Sequence, residues 1–274
     1  MDKYLEKNVM ALASMLQKDY DIFGLVTGRE RRGKSTLAGQ IAKRVDQTYD
    51  VSRCCFTAEQ FIEAIEHGKP GEAIVFDEAY GYLNSRQALS KFNRVLIKIM
   101  TEMGRKRLFV IIVLPNFFEL DKYPALHRSD FLLHVHKRGA FVFFDYDRKK
   151  RLYLKGKKFY AYGAVPGNFV GSFNKHLVYN MKEYDDKKKT ALTEYNQRQI
   201  AKTDKFKDQR DLVMLKYYED TGTTFKKMSE IFGIPPSTIA DCLGNARNLR
   251  LTEQNTITTR MEGVQYPTGK EDKG

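Results

Sequence analysis

The chain has 274 residues, of which 42% are hydrophobic and 30% charged, and its 47 Lys and Arg outweigh 34 Asp and Glu for a net charge of +13. That length accommodates a substantial core and a second small domain, since domains commonly run about 100–200 residues. Three cysteines, Cys54, Cys55 and Cys242, cannot build a disulfide framework and have no metal-ligand spacing, so they read as core or half-buried thiols.

The amino-terminal residues Met1-Asp2-Lys3-Tyr4-Leu5-Glu6 lack the basic and then apolar layout of a signal peptide. The expected location is therefore cytoplasmic. The longest apolar stretch, residues 108–114, has a strand's length and falls far short of the roughly 20 residues of a spanning helix, so no membrane span is expected.

The first informative element is Ile22-Phe23-Gly24-Leu25-Val26, an apolar run that reads as a buried strand. Straight after it stands Gly28-Arg29-Glu30-Arg31-Arg32-Gly33-Lys34-Ser35, with the spacing G-x-x-x-x-G-K-[ST]. In such a turn successive backbone N–H groups point into one concavity, above the positive end of the following helix, and hold a phosphate. Gly28 and Gly33 supply the backbone freedom. Lys34 reaches the β- and γ-phosphates, and the Ser35 hydroxyl is placed to ligate Mg²⁺. Thr36 lies one residue into a helix whose apolar positions recur at helical intervals through Val45. The expected ligands are ATP and Mg²⁺, held by residues 28–36.

Ala73-Ile74-Val75-Phe76-Asp77-Glu78 is a short apolar run ending in two carboxylates, the form of a buried parallel strand whose carboxyl end reaches a nucleotide. It reads as the Walker B partner of the loop. Asp77 is expected to hold Mg²⁺ through water or Ser35, with Glu78 as the general base that activates water. A small-molecule or nucleoside kinase would not need Glu78.

A third run, residues 108–114, ends at Pro115-Asn116. Asn116 is the candidate that contacts the γ-phosphate or orients the attacking water, the alternative being a turn-forming Asn. Arg128, before the run Phe131-Leu132-Leu133-His134-Val135, is the candidate arginine finger for a neighbouring subunit's nucleotide, or else a surface arginine. Arg105 and Arg107 are weaker candidates, because a strand's start lies at the opposite edge of the sheet from its nucleotide end. The alternating His134 and His136 read as strand-face histidines.

Residues 137–160 are basic and rich in aromatics, and the segment from Asp145 to Lys150 reads as the tip of a β-hairpin with apolar runs on both sides. The aromatics read as the packed face. Lys149, Lys150 and Arg151 at the tip are candidate phosphate contacts for DNA, which counterion release would attract. Stacking of the aromatics on bases is the other reading.

Residues 181–210 are nearly all charged and polar and read as an exposed helical linker. Residues 211–250 then read as three helices, with breaks near Gly222 and Gly233 and a last helix opening at Pro236-Ser237-Thr238. Residues 251–274 read as a disordered tail.

The order of phosphate loop, Phe76-Asp77-Glu78-Ala79, a strand ending at Asn116 with Phe118-Glu119-Leu120-Asp121 beyond it, and His127-Arg128 resembles the additional-strand catalytic-glutamate P-loop ATPases. Within that group it is most similar to the zonular-occludens-toxin-like ATPases of phages and the FtsK–HerA translocases. The resemblance covers roughly residues 20–160, and the two Walker motifs are its specific part. It implies an ATP-driven motor on double-stranded DNA, acting as a homo-oligomer with ATP at subunit interfaces.

The carboxy-terminal layout resembles a helix-turn-helix, which would present Ser237, Thr238, Asp241 and Asn245 to the major groove and Arg247 and Arg250 to phosphates. A three-helix protein-interaction module is the alternative. The expected fold is α/β: a RecA-like P-loop ATPase domain with a mainly parallel sheet over residues 1–180, plus a small all-helical domain. The expected function is movement or remodelling of DNA, with an ATP-switched regulator or loader that recruits a protein partner as the second reading.

Overall fold

The computed structural model describes residues 1–77, 93–94, 96–101, 104 and 106–262, with the side chains of residues 199, 202 and 253–262 not among them. The apolar run after Asp21 forms the strand at the heart of the sheet, β1 (Ile22–Gly28), buried along its whole length. Around it stand β2 (Cys54–Cys55), β3 (Ala73–Phe76), β4 (Phe109–Leu114), β5 (Phe131–Lys137), β6 (Ala140–Phe144) and β7 (Phe169–Ser172). Among the described residues these make one seven-stranded sheet in the order β2-β3-β4-β1-β5-β6-β7.

From β2 to β5 every pairing is parallel, and β6 and β7 add antiparallel at one edge. Strands covered on both faces need apolar side chains on both, which is why β1, β3 and β4 read as unbroken apolar runs. The register sets Thr27 opposite Leu114, and Phe76 opposite Ile112. The carboxyl ends of β1, β3 and β4 therefore share one edge, with β4 interposed between the other two.

Three helices precede β3: α1 (Lys3–Ala13), α2 (Lys34–Val45) and α3 (Ala58–His67). The Asp2 carboxylate caps α1 by accepting from the N–H groups of Tyr4 and Leu5, and the Thr57 hydroxyl caps α3 by accepting from Gln60 N–H. Leu5 and Val9 of α1 pack with Leu37 and Ile41 of α2 in the core cluster that holds Val26, Ile111, Val113 and Val135 of the sheet. Each such side chain, fully removed from water, stabilises the fold by about 1.5–3 kcal/mol.

Residues 137–160 depart from the expected hairpin. The hairpin lies earlier, between β5 and β6, and turns at Arg138-Gly139, where Gly139 has φ 80°. Asp145 begins a helix instead: its carboxylate accepts from Arg148 N–H and caps α4 (Tyr146–Gly156). Lys149, Leu152, Tyr153 and Gly156 recur at helical spacing and form the buried face, so a basic strand-like segment is an amphipathic helix.

Lys149 is consequently no phosphate contact. It is fully buried, donates to Ser129 O and to Ser129 Oγ at 2.7 Å, and burial pushes its ammonium down to about 7. Lys150 is half-buried and Arg151 exposed.

The chain divides into residues 1–193 and 194–274. The charged segment is helical as expected but merges with the helix after it into α5 (Met181–Thr221), whose first turns belong to the first unit. In the second unit α6 (Phe225–Phe232) ends at Gly233, left-handed at φ 67°, and α7 (Pro236–Glu262) follows. Met214, Leu215, Met228, Ile239, Cys242, Leu243 and Ala246 form this unit's own core. α7 also corrects the expected tail: no Gly or Pro interrupts residues 245–262, and the helix continues to Glu262. Residues 263–274 lie outside the described residues. Among the described residues no helix is long and apolar enough to cross a membrane.

Candidate phosphate-binding site

The loop from Gly28 to Ser35 leaves the carboxyl end of β1 and enters α2. Three of its residues have positive φ: Gly28 at 144°, Arg31 at 59° and Gly33 at 92°. At Gly28 the reason is close approach as well, because a Cβ there would lie 2.5 Å from Val135 O on the paired strand. Arg32 donates from Nη1 to His136 O, which ties the loop to β5. Gly33 is the N-cap of α2 and brings no side-chain acceptor, and among the described residues no side-chain hydrogen bond caps the positive end of the helix.

Lys34 curls back over the loop and donates to Arg29 O at 3.1 Å. Ser35 Oγ donates to Asp77 Oδ1 at 3.0 Å, bridging the start of α2 and the end of β3. Asp77 is 3% exposed, and its own N–H donates to Cys55 O at 2.8 Å. Its second carboxylate oxygen accepts from the Tyr184 hydroxyl.

Lys34, Ser35 and Asp77 line a cavity of about 290 Å³ together with Glu30, Arg31 and Lys188. A second cavity of about 810 Å³ lies along residues 31–36 and is walled by Phe173, Leu177, Tyr179 and Tyr184. The first presents charged groups, the second aromatic rings together with Arg31, Arg32, Arg138 and Lys175. A hydroxyl and a carboxylate held in contact form the hard-oxygen pair that Mg²⁺ prefers, so the residues present fit that ion. Among the described residues no group of three or more His, Cys, Asp or Glu is placed to hold a metal ion.

The remaining candidates separate. Glu78 lies outside the described residues, as does Arg105. Asn116 follows β4 at the right edge, but its carboxamide oxygen accepts from Phe118 N–H at 3.1 Å and lies 3.3 Å from the Tyr162 hydroxyl, the turn-forming arrangement.

Arg128 precedes β5 and therefore lies at the opposite edge of the sheet from this chain's own loop. It donates to Met100 O at 3.2 Å and Asp21 Oδ2 at 3.4 Å, with its guanidinium 4.5 Å from the Phe23 ring centroid. The edge argument that weakens Arg105 and Arg107 applies to it equally.

In the second unit Ser237, Asp241, Asn245 and Arg247 are exposed and Thr238 is half-buried, on the side of α7 away from Ile239, Cys242, Leu243 and Ala246. Arg250 instead donates to both Glu219 carboxylate oxygens, at 2.9 and 2.8 Å.

Sequence reasoning missed Tyr184 and Lys188, which it placed in a linker. The available signal was one large aromatic in a charged run with Ala191 seven residues on, a helical spacing; both are buried.

His134 sits behind the loop, stacked on Tyr162 at 3.5 Å between ring centroids and with Nδ1 3.3 Å from Thr27 Oγ1. Burial, reinforced by His136 and Arg32, pushes its imidazole down to about 4. Between pH 4 and the ordinary value of about 6.5 the unfolded chain binds a proton that the folded one refuses. Stability should therefore fall as pH drops through that window, by at most about 3 kcal/mol. Urea unfolding of His134→Gln should show a shallower loss over the same range.

No family model, curated protein or solved structure matches the chain, so its function must be argued from its own residues.

Proposed function

We propose that the first unit binds and hydrolyses Mg²⁺·ATP and that a homo-oligomer of this chain, with ATP at subunit boundaries, uses the turnover to move or remodel double-stranded DNA. The observation that carries the reading is the Ser35–Asp77 contact at 3.0 Å beside Lys34, because it joins the two motifs, 42 residues apart, at one cavity. The placement of β4 between β1 and β3 supports an additional-strand P-loop ATPase of RecA-like type.

In this mechanism the loop's N–H groups and Lys34 bind the β- and γ-phosphates. Ser35 and Asp77 would hold Mg²⁺, which neutralises phosphate charge when bound. Glu78, next after Asp77, takes the proton of the attacking water. Asn116, at the end of β4, orients that water through its amide nitrogen. The face of α7 bearing Ser237, Asp241 and Asn245 enters the major groove, with Arg247 on a phosphate.

Steady-state ATP hydrolysis with and without double-stranded DNA tests the reading. A strong DNA-dependent increase is expected, and Glu78→Gln should still bind ATP while turnover drops about 100-fold or more. Turnover indifferent to DNA would mark an ATP-switched loader that recruits a protein partner. Normal turnover in Glu78→Gln would remove Glu78 as the base.

A further inference from the structure

The charged helix α5 begins against the phosphate-binding cavity. Tyr184 is buried, its ring edge-on to Phe56 at 5.2 Å and stacked on Tyr179 at 5.2 Å, and its hydroxyl donates to Asp77 Oδ2. One turn on, Lys187 donates to Val51 O at 2.8 Å and Ser52 O at 2.6 Å, which anchors the helix to the turn before β2. The next residue, Lys188, lies about 100° further round the helix and lines the same cavity as Lys34, Ser35 and Asp77.

We infer that the first two turns of α5 complete the triphosphate site, with Tyr184 as a positioning residue for the Asp77 carboxylate and Lys188 as a second ammonium, beside Lys34, on the terminal phosphates. The inference rests on the Mg²⁺·ATP reading of the cavity.

The Asp77 carboxylate has Ser35 on one oxygen and Tyr184 on the other, so its rotation is blocked. The ring contacts of Tyr184 would hold the side chain in place without the hydroxyl; the hydroxyl's partner is the carboxylate. Lys188 answers a different need. A terminal phosphate carries more charge than the Lys34 ammonium neutralises, and a second ammonium at the cavity favours ATP over ADP.

Calorimetric titration of the full chain with ATP and ADP, each with and without Mg²⁺, tests both roles. Tyr184→Phe should lose about tenfold of the affinity that Mg²⁺ adds while its Mg²⁺-free affinity stays at the parent's, the behaviour of a lost outer contact to a metal ligand. Lys188→Ala should weaken ATP about tenfold and ADP far less, with Lys188→Arg restoring most of the difference. Equal losses with and without Mg²⁺ in Tyr184→Phe, or an unchanged Mg²⁺ dependence, would overturn the positioning role. An unchanged ATP-to-ADP ratio in Lys188→Ala would overturn the phosphate contact. Parent protein that binds no ATP defeats the nucleotide reading itself. Parent binding lost in Lys34→Ala but untouched in both α5 variants defeats this inference alone.

Discussion

Replacing Lys34 by Ala should reduce ATP turnover about 10²–10³-fold, because it removes the ammonium proposed to stabilise charge on the transferring phosphate. The folded protein should barely register the change. The Lys34 ammonium donates to Arg29 O at 3.1 Å in an open part of the loop, a contact contributing about 1 kcal/mol or less. Thermal melting should thus match the parent within a few degrees, while ATP no longer raises the melting temperature. A variant that melted like the parent and was still stabilised by ATP would show that the cavity beside Ser35 and Asp77 is not where the phosphates bind.

Gly28→Ala should have the opposite character, a loss of fold that carries binding with it. Gly28 pairs with Val135 at the last register position of β1 and β5 and has φ 144°, and an added Cβ would meet Val135 O at 2.5 Å. Both the backbone and the strand spacing resist that methyl group, and a destabilisation of about 2–4 kcal/mol is expected. Gly33→Ala is the instructive control. Its φ is 92°, but the Cβ would meet side-chain atoms of Phe173 at 3.1 Å, and a ring can shift where a strand cannot. Its cost should be nearer 1–2 kcal/mol. Urea unfolding of the two variants ranks them, and equal stabilities would remove the Val135 contact as the reason for a glycine at position 28.

Much of the first unit was legible because its signals are local. The turn between β1 and α2 is a fixed spacing of eight residues, from Gly28 to Ser35, and the parallel strands are apolar runs whose length and continuity survive without knowledge of their neighbours. The segment after Asp145 was misread for a physical reason. Its residues 149, 152, 153 and 156 face the core at helical spacing, but the buried member at 149 is a lysine, which sequence reasoning assigns to solvent. The carbonyl and hydroxyl of Ser129, twenty residues earlier, together with the Tyr146 ring 4.9 Å away and the charge of Asp130, make that burial tolerable. Arg128 reads from the sequence as an arginine finger or a surface arginine, and neither reading supplies its partner Asp21, 107 residues away in the chain.

The sequence by itself determined the glycine-bearing turn between β1 and α2, the acidic end of β3, the parallel sheet and the helical carboxy-terminal unit, because each depends on neighbours within a few turns or one strand. The motifs also put Ser35 near Asp77, and tertiary structure alone decided that β4 lies between β1 and β3 and that Tyr184 and Lys188 border the cavity beside that pair. Those outcomes depend on which apolar faces pack together in the core. The hydrophobic effect is non-directional, so a list of apolar positions states that they will be buried but not against which partner.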